Sequence, residues 1–425
     1  MIFILPLSFY SVNINIHILK ETNMKAPLST VILSLAILFV SCESVEEKAQ
    51  RIHNKVFTLD SHTDTPMRFT NSDFDISKEH NPHDGGGKVD IPRMEKGGLD
   101  AIFFAVFIGQ GPSDSIGNAK AYAKADNIFN AIYKTLDKNQ TTAKIALTPA
   151  DGYKLEKQNK RAIYLGIENG YALGGKLENI DYFYNRGARY ITLVHTSNND
   201  IADSSTDKNG ALFNGLSNFG NDVVKKMNEL GIMVDVSHAS DSAFYDVLKI
   251  SKAPVIASHS CSRAICDNPR NLSDSMLRAL SKNGGVVQMC ILSDYVKKIK
   301  QSPERDSAKV AFRASHTNWD SYTPEQRKQA IKDWYQLDVD FPPILANVKD
   351  VVDHIDHMVE VAGIDHVGIG TDFDGGGGVK DCFDVSEMGN ITLELVRRGY
   401  SEEQIKKIWG GNFMRVFSEV EKIAL

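Results

Sequence analysis

His62 and Asp64 stand two residues apart in Leu59-Asp60-Ser61-His62-Thr63-Asp64, at the end of a short apolar run. An extended backbone turns both side chains the same way, so the pair could grip one metal ion, although a lone HxD is more often a surface His and a turn Asp. Glu168 directly follows Leu165-Gly166-Ile167, where capping of the next turn is the simpler reading. Two further runs end alike, in Val234-Asp235-Val236-Ser237-His238 and Val255-Ile256-Ala257-Ser258-His259. One such histidine is more often a satisfied core residue than a ligand. Taken together, His62, Asp64, Glu168, His238 and His259 form a nitrogen and oxygen donor set that suits zinc better than calcium or magnesium. Affinity alone does not select zinc, so manganese and iron stay open. Five ligands serve two ions only if one carboxylate bridges, and Glu168 lies between the two pairs in chain order. His62 and Asp64 would then hold one zinc ion and His238 and His259 the other, with a hydroxide shared between them as nucleophile.

Three more positions would complete a hydrolytic site. His195 ends Tyr190-Ile191-Thr192-Leu193-Val194-His195 and could polarise a scissile carbonyl, against even odds that it is a structural hydrogen-bonder. Arg270, in Pro269-Arg270-Asn271, could pair with a substrate carboxylate, though an isolated Arg is usually a surface residue. Asp372 and Asp374 share Thr371-Asp372-Phe373-Asp374-Gly375, and either could carry a proton or merely cap a turn. Asp372 is preferred because it follows the apolar run immediately.

These residues need a scaffold that brings distant run ends to one place. Short apolar runs at Val56–Asp60, Leu99–Ile108, Ala162–Ile167, Tyr190–Val194, Ile232–Val236, Pro254–Ser258, Gly285–Leu292 and His366–Thr371 read as strands. Amphipathic stretches at 117–135, 218–230, 241–250, 273–283 and 347–361 read as helices between them. In the second of these Phe219, Val223, Met227 and Leu230 share a face, and Gly231 follows as a stop. Eight strands alternating with helices predict an α/β fold, a (β/α)8 TIM-like barrel whose strand C-termini all open on one face. Residues 296–343 are polar, carry Trp319 and Trp334, and are expected to form a partly helical insertion bordering the pocket. Residues 381–422 read as a helical tail of the same domain.

The chain has 425 residues, with 42% hydrophobic and 24% charged, as in ordinary globular enzymes. A net charge of −6 and the lack of any run of five Lys/Arg argue against a nucleic-acid partner. From Met24-Lys25 a short apolar core leads to Phe39-Val40-Ser41-Cys42, which resembles a bacterial lipobox. The expected layout is therefore upstream residues and a lipoprotein signal peptide over 1–41, a lipidated tether over 42–50, and the hydrolase barrel over 51–425. Membrane attachment through a lipid on Cys42 would place a bacterial lipoprotein at the periplasm or cell surface, with a homodimer left open as its assembly. Cys261, Cys266, Cys290 and Cys382 read as buried, inert thiols, because a chain this long can build a core without disulfides.

The ordered set DSHTD, GIENG, YITLVHTSNN, GLSNFGNDVVKKMNELGIMVDVSHAS, ASHSCSRAICDNPRNLSD, VGIGTDFDG and GGNFMRV, spanning about residues 51 to 420, resembles the membrane (renal-type) dipeptidase family of the amidohydrolase superfamily. The resemblance implies a two-zinc dipeptidase acting on dipeptides, often with a C-terminal D-residue, and for some members on β-lactam rings. It implies zinc at His62, Asp64 and bridging Glu168, and at Glu168, His238 and His259. It also implies His195 on the substrate carbonyl, Arg270 on the substrate carboxylate and Asp372 as proton carrier. Animal members carry a C-terminal lipid anchor. Here the chain ends in Glu421-Lys422-Ile423-Ala424-Leu425, with no apolar tail, so the anchor is expected at Cys42. Two rivals are an amidohydrolase of N-acyl amino acids or lactones, and a non-catalytic surface lipoprotein. The second is disfavoured because no matched position is lost.

Overall fold

The computed structural model describes residues 43–70, 74–317 and 321–424, so Cys42 with its lipobox, and Trp319, lie outside the described residues. Residues from Val45 onward form one compact unit. Its sheet strands are β1 (Leu59–Thr63), β2 (Ala101–Phe107), β3 (Ala143–Ile145), β4 (Arg161–Glu168), β5 (Ala188–Thr192), β6 (Met233–Asp235), β7 (Ile256–Ser260), β8 (Val286–Met289) and β9 (Val367–Ile369). All ladders are parallel and run β1-β2-β4-β5-β6-β7-β8-β9, with β3 an extra strand beside β4. The last and first strands meet through a parallel bridge between Thr63 and Phe373, a bond from Asp64 N–H to Phe373 O at 2.9 Å and one from Asp372 N–H to His62 O at 3.0 Å. The result is the nearly closed (β/α)8 barrel expected from the alternation.

Buried runs such as AIFFAV in β2 and RAIYLGIE in β4 have apolar residues on both strand faces, because helices cover one face and the barrel interior the other. Two core clusters divide along that line. Ile102, Phe104, Val106, Ile163, Leu165 and Ile167 pack outward against the helices. Leu59, Phe103, Tyr164, Tyr190, Met233 and Ile256 point inward, where Phe413, Met414, Phe417 and Val420 of the last helix, Asn412–Ile423, plug the barrel floor. The tail thus belongs to the domain as its stopper. The helix Asn218–Leu230 has the predicted bounds, with the Ser217 hydroxyl accepting from Gly220 N–H and Gly231 ending it at φ 74°.

Two expectations change. The tether over 42–50 gives way to a helix, Val45–His53, because Ala49, Ile52 and His53 recur at helical spacing and bury one face. His53 joins its Nδ1 to the Thr392 hydroxyl at 2.7 Å, fixing that helix to Gly389–Arg397. Several predicted strand ends also move outward. β1 and β7 include Thr63 and Ser260, and β4 includes Glu168, so three site residues sit on sheet backbone rather than in loops. Within 296–343 the described residues include the helices Pro303–Ser315 and Pro324–Asp340, tied by Arg305 to Asp338 at 2.6 Å and by Lys309 over the Trp334 ring at 4.5 Å. All four predicted thiols are unbridged and buried.

Candidate metal centre

The barrel brings His62, Asp64, Glu168, His195, His238, His259, Arg270 and Asp372 to the C-terminal mouth of the strands. Glu168 is the last residue of β4, and burial around it is nearly complete. Its two oxygens face opposite groups. Oε2 is 3.4 Å from His62 Nε2, whereas Oε1 lies 3.1 Å from His238 Nε2 and 3.5 Å from His259 Nε2. His62 Nε2 is also 3.9 Å from Asp64 Oδ1 and 4.0 Å from Asp372 Oδ1. His195 Nε2 stands farther back, 3.7 Å from Glu168 Oε1, its ring edge-on to Phe107 at 4.7 Å.

Each ring is aimed by a neighbour. Tyr190 OH meets His62 Nδ1 at 2.8 Å, leaving Nε2 to face the acids. The Tyr190 ring can cross the barrel because position 166 is glycine. A Cβ there would come within 2.2–2.5 Å of the ring. Behind β6 and β7 a buried carboxylate, Asp235, accepts from Ser258 N–H at 2.9 Å and Ser258 Oγ at 2.6 Å, and Ser258 Oγ meets His259 Nδ1 at 2.9 Å. Asp60 accepts from Thr371 N–H at 2.8 Å and Thr371 Oγ1 at 2.6 Å, joining β1 to the approach to Asp372. Tyr190, Asp60 and Asp235 were given no role by the motifs. An acid inside an otherwise apolar strand, as in LDSH and VDVSH, is the signal that could have marked the last two. His238 and Asp372 have φ of 70° and 61°, a region that non-glycine residues seldom adopt and that concentrates at functional sites.

The electrostatics call for added positive charge. Burial pushes the Glu168 carboxyl up to about 8. Burial also raises Asp64 and Asp372 well above the carboxylate range, with the Glu168 charge adding to both. Burial, then Arg270, pushes His195 down to about 3, and burial holds His238 and His259 far below the usual histidine value. Neutral imidazoles offer lone pairs, and the Nε2 atoms of His238 and His259 face each other at 2.9 Å. His62 Nε2 and Asp64 Oδ1 are buried without a hydrogen-bond partner. Such orphaned polar atoms cost free energy unless a ligand takes them. His62 with Glu168 and His259, Glu168 with His195 and His238, and His62 with Asp64 and Asp372 each bring ligand atoms within 4.8 Å. The residues therefore fit divalent ions held by nitrogen and oxygen.

Arg270 lies beside this cluster. It is buried, gives one bond to His259 O at 3.0 Å, rests over the Tyr295 ring at 5.2 Å and has no hydrogen-bond partner for Nε. Asp374, the rival to Asp372, is fully occupied. It accepts from Thr65 Oγ1 at 2.7 Å, Arg68 Nε at 3.0 Å and Lys88 N–H at 2.9 Å.

Comparison with known proteins gives concordant matches. The family profile described as membrane dipeptidase (peptidase family M19) matches residues 46–425. Dipeptidase 3 of Homo sapiens is 32% identical over 386 residues, covering 88% of this chain and 67% of its own. Dipeptidase tcpJ of Claviceps purpurea (strain 20.1) is 31% identical over 359 residues, covering 83% and 74%. The crystal structure of the probable dipeptidase PvdM from Pseudomonas aeruginosa superposes with a TM-score of 0.76 at 31% identity, over 89% of this chain and 99% of that one. A metallo peptidase from Rhodobacter sphaeroides, liganded with a phosphinate mimic of the dipeptide L-Ala-D-Ala, shares the fold at a TM-score of 0.69 and 21% identity, over 86% and 99%.

Proposed function

The chain belongs to the membrane dipeptidase family, and from that premise we propose that this metallo-dipeptidase works with two zinc ions and accepts dipeptides with a C-terminal D-residue. The observation that carries the two-ion reading is the division of Glu168, whose Oε2 faces His62 while Oε1 faces His238 and His259. His62, Asp64 and Glu168 would hold one ion, and Glu168, His238 and His259 the other. When bound, the ions supply Lewis-acid polarisation and a water activated near neutral pH.

The chain's own groups do the rest. Arg270 binds the substrate's terminal carboxylate through its unpartnered Nε edge. His195, held neutral, donates to the scissile carbonyl oxygen as negative charge develops there. Asp372 accepts a proton from the attacking water and returns it to the departing amine, a task suited to a carboxyl whose pKa is raised. Cys42 is inferred to carry the lipid that attaches the enzyme to the membrane. Among the described residues no helix is long and apolar enough to cross one.

Metal analysis of the purified protein, with turnover of L,L and L,D dipeptides, tests this reading. Two zinc ions per chain and hydrolysis of both series are expected. Glu168→Gln removes the charge that lets two dications sit close together, so metal content and rate should fall together. Two ions and near-normal turnover in that variant would sink the bridging assignment.

A further inference from the structure

A cavity of about 1040 Å³ opens outward from Asp64, between the Pro82–Asp84 turn and the insertion helix Pro324–Asp340. Its inner end is acidic and already engaged, since Asp64 belongs to the donor cluster and Asp374 is paired with Arg68. The outer wall is basic. Lys124, Arg327, Lys328 and Lys332 line it, with Asp84 the one further carboxylate among the lining residues. Lys124 and Lys332 form no ion pair among the described residues. A concave wall of one charge sign concentrates ligands of the other.

The cavity also has a direction. Arg270, His195, His238 and His259 are absent from its lining, whereas Asp64 is present. It therefore lies on the Asp64 side of Glu168, away from the group that reads the C-terminal carboxylate. A dipeptide held at Arg270 would point its amino-terminal residue toward Asp64, which belongs to both the donor cluster and the cavity lining. The side chain of that residue would then extend into the cavity toward the lysines.

Resting on the dipeptidase reading above, we infer that this cavity selects dipeptides whose amino-terminal residue bears an anionic side chain, with Lys124 and Lys332 as specificity determinants. Three of the four cations belong to the helix Pro324–Asp340, so the preference is built into the insertion rather than the barrel.

The test compares kcat/KM for Glu-Ala, its near-isostere Gln-Ala, Ala-Ala and Lys-Ala on the metal-loaded full chain, at low and at higher ionic strength. Glu-Ala should exceed Gln-Ala on the order of tenfold at low salt, as expected for two partly solvated charge pairs, and the ratio should shrink as salt rises. The double variant Lys124→Glu/Lys332→Glu should bring the ratio below one and favour Lys-Ala, and Lys124→Gln/Lys332→Gln should bring it near one. Both pairs of changes lie on exposed helix positions, and circular dichroism checks that each variant is folded. A wild-type ratio at or below one, or a ratio that neither double variant moves, overturns the inference while leaving the dipeptidase reading intact. Failure to hydrolyse any dipeptide overturns that reading and the inference with it.

Discussion

Asp372 and Asp374 are alike in sequence and unlike in their bonds. Asp374 accepts from Thr65, Arg68 and Lys88, whereas the Asp372 carboxylate sits 4.0 Å from His62 Nε2 with no such set of donors. Asp372→Asn keeps the shape but cannot take a proton. Its kcat should fall on the order of a hundredfold or more while the metal content stays at the wild-type level, as read by steady-state kinetics with metal analysis. Retained kcat would move the proton elsewhere. Arg270, buried beside the cluster with its Nε unpartnered, is proposed to bind rather than to react. A charge-assisted pair contributes about 1.5–3 kcal/mol, so Arg270→Met should cost roughly ten- to a hundredfold, mostly in KM. C-terminally amidated dipeptides supply the control: they should be poor wild-type substrates and lose little more in the variant. Equal losses for amide and free acid would show that Arg270 does not read the carboxylate. The motifs named both residues, but only the tertiary hydrogen bonds separate Asp372 from its rival.

Among the elements, the insertion is where sequence reading stopped short. Its polarity and length marked an addition to the barrel, and helix signals such as Thr323-Pro324 with Gln326 are plain once seen. The structure gives them as a capping box. What it packs against is not encoded in its own periodicity. Gly85, far away in the chain, has φ 88°, and a Cβ there would lie 2.6 Å from Ile331 Cγ2 and 3.2 Å from the Tyr335 ring. The close approach of the insertion helix therefore depends on a bare backbone at that turn. Gly85→Val should add both left-handed strain and a clash, displacing the helix. Dipeptide KM should rise and limited proteolysis should cut within 303–340 sooner, with the barrel's own thermal transition lowered by only a few degrees. An unchanged proteolysis pattern would show that the helix is held by other contacts.

For the whole molecule, the proposed anchor and the catalytic unit are separable, since the compact unit begins at Val45 and the lipid is proposed at Cys42. Cys42→Ser should release active enzyme into the soluble fraction, checked by fractionation and dipeptide turnover, because acylation rather than the fold provides attachment. Continued membrane association would count against the lipobox. The alternation of apolar runs and amphipathic helices by itself determined the barrel, because a helix buried on one face shows its period and a strand buried on both shows an unbroken apolar run. The polar residues at run ends likewise placed His62, Glu168, His238 and His259 at one mouth with Asp64 beside them, since parallel strands in a barrel open on one face. Only the tertiary structure decided that Glu168 turns one oxygen to His62 and the other to His238, that Tyr190, over Gly166, aims His62, and that Asp235, through Ser258, aims His259. It also decided that the last helix plugs the floor and that the insertion supplies a basic wall. These relations join residues far apart in the chain through side-chain direction and close approach, and neither leaves a period in the sequence to be read.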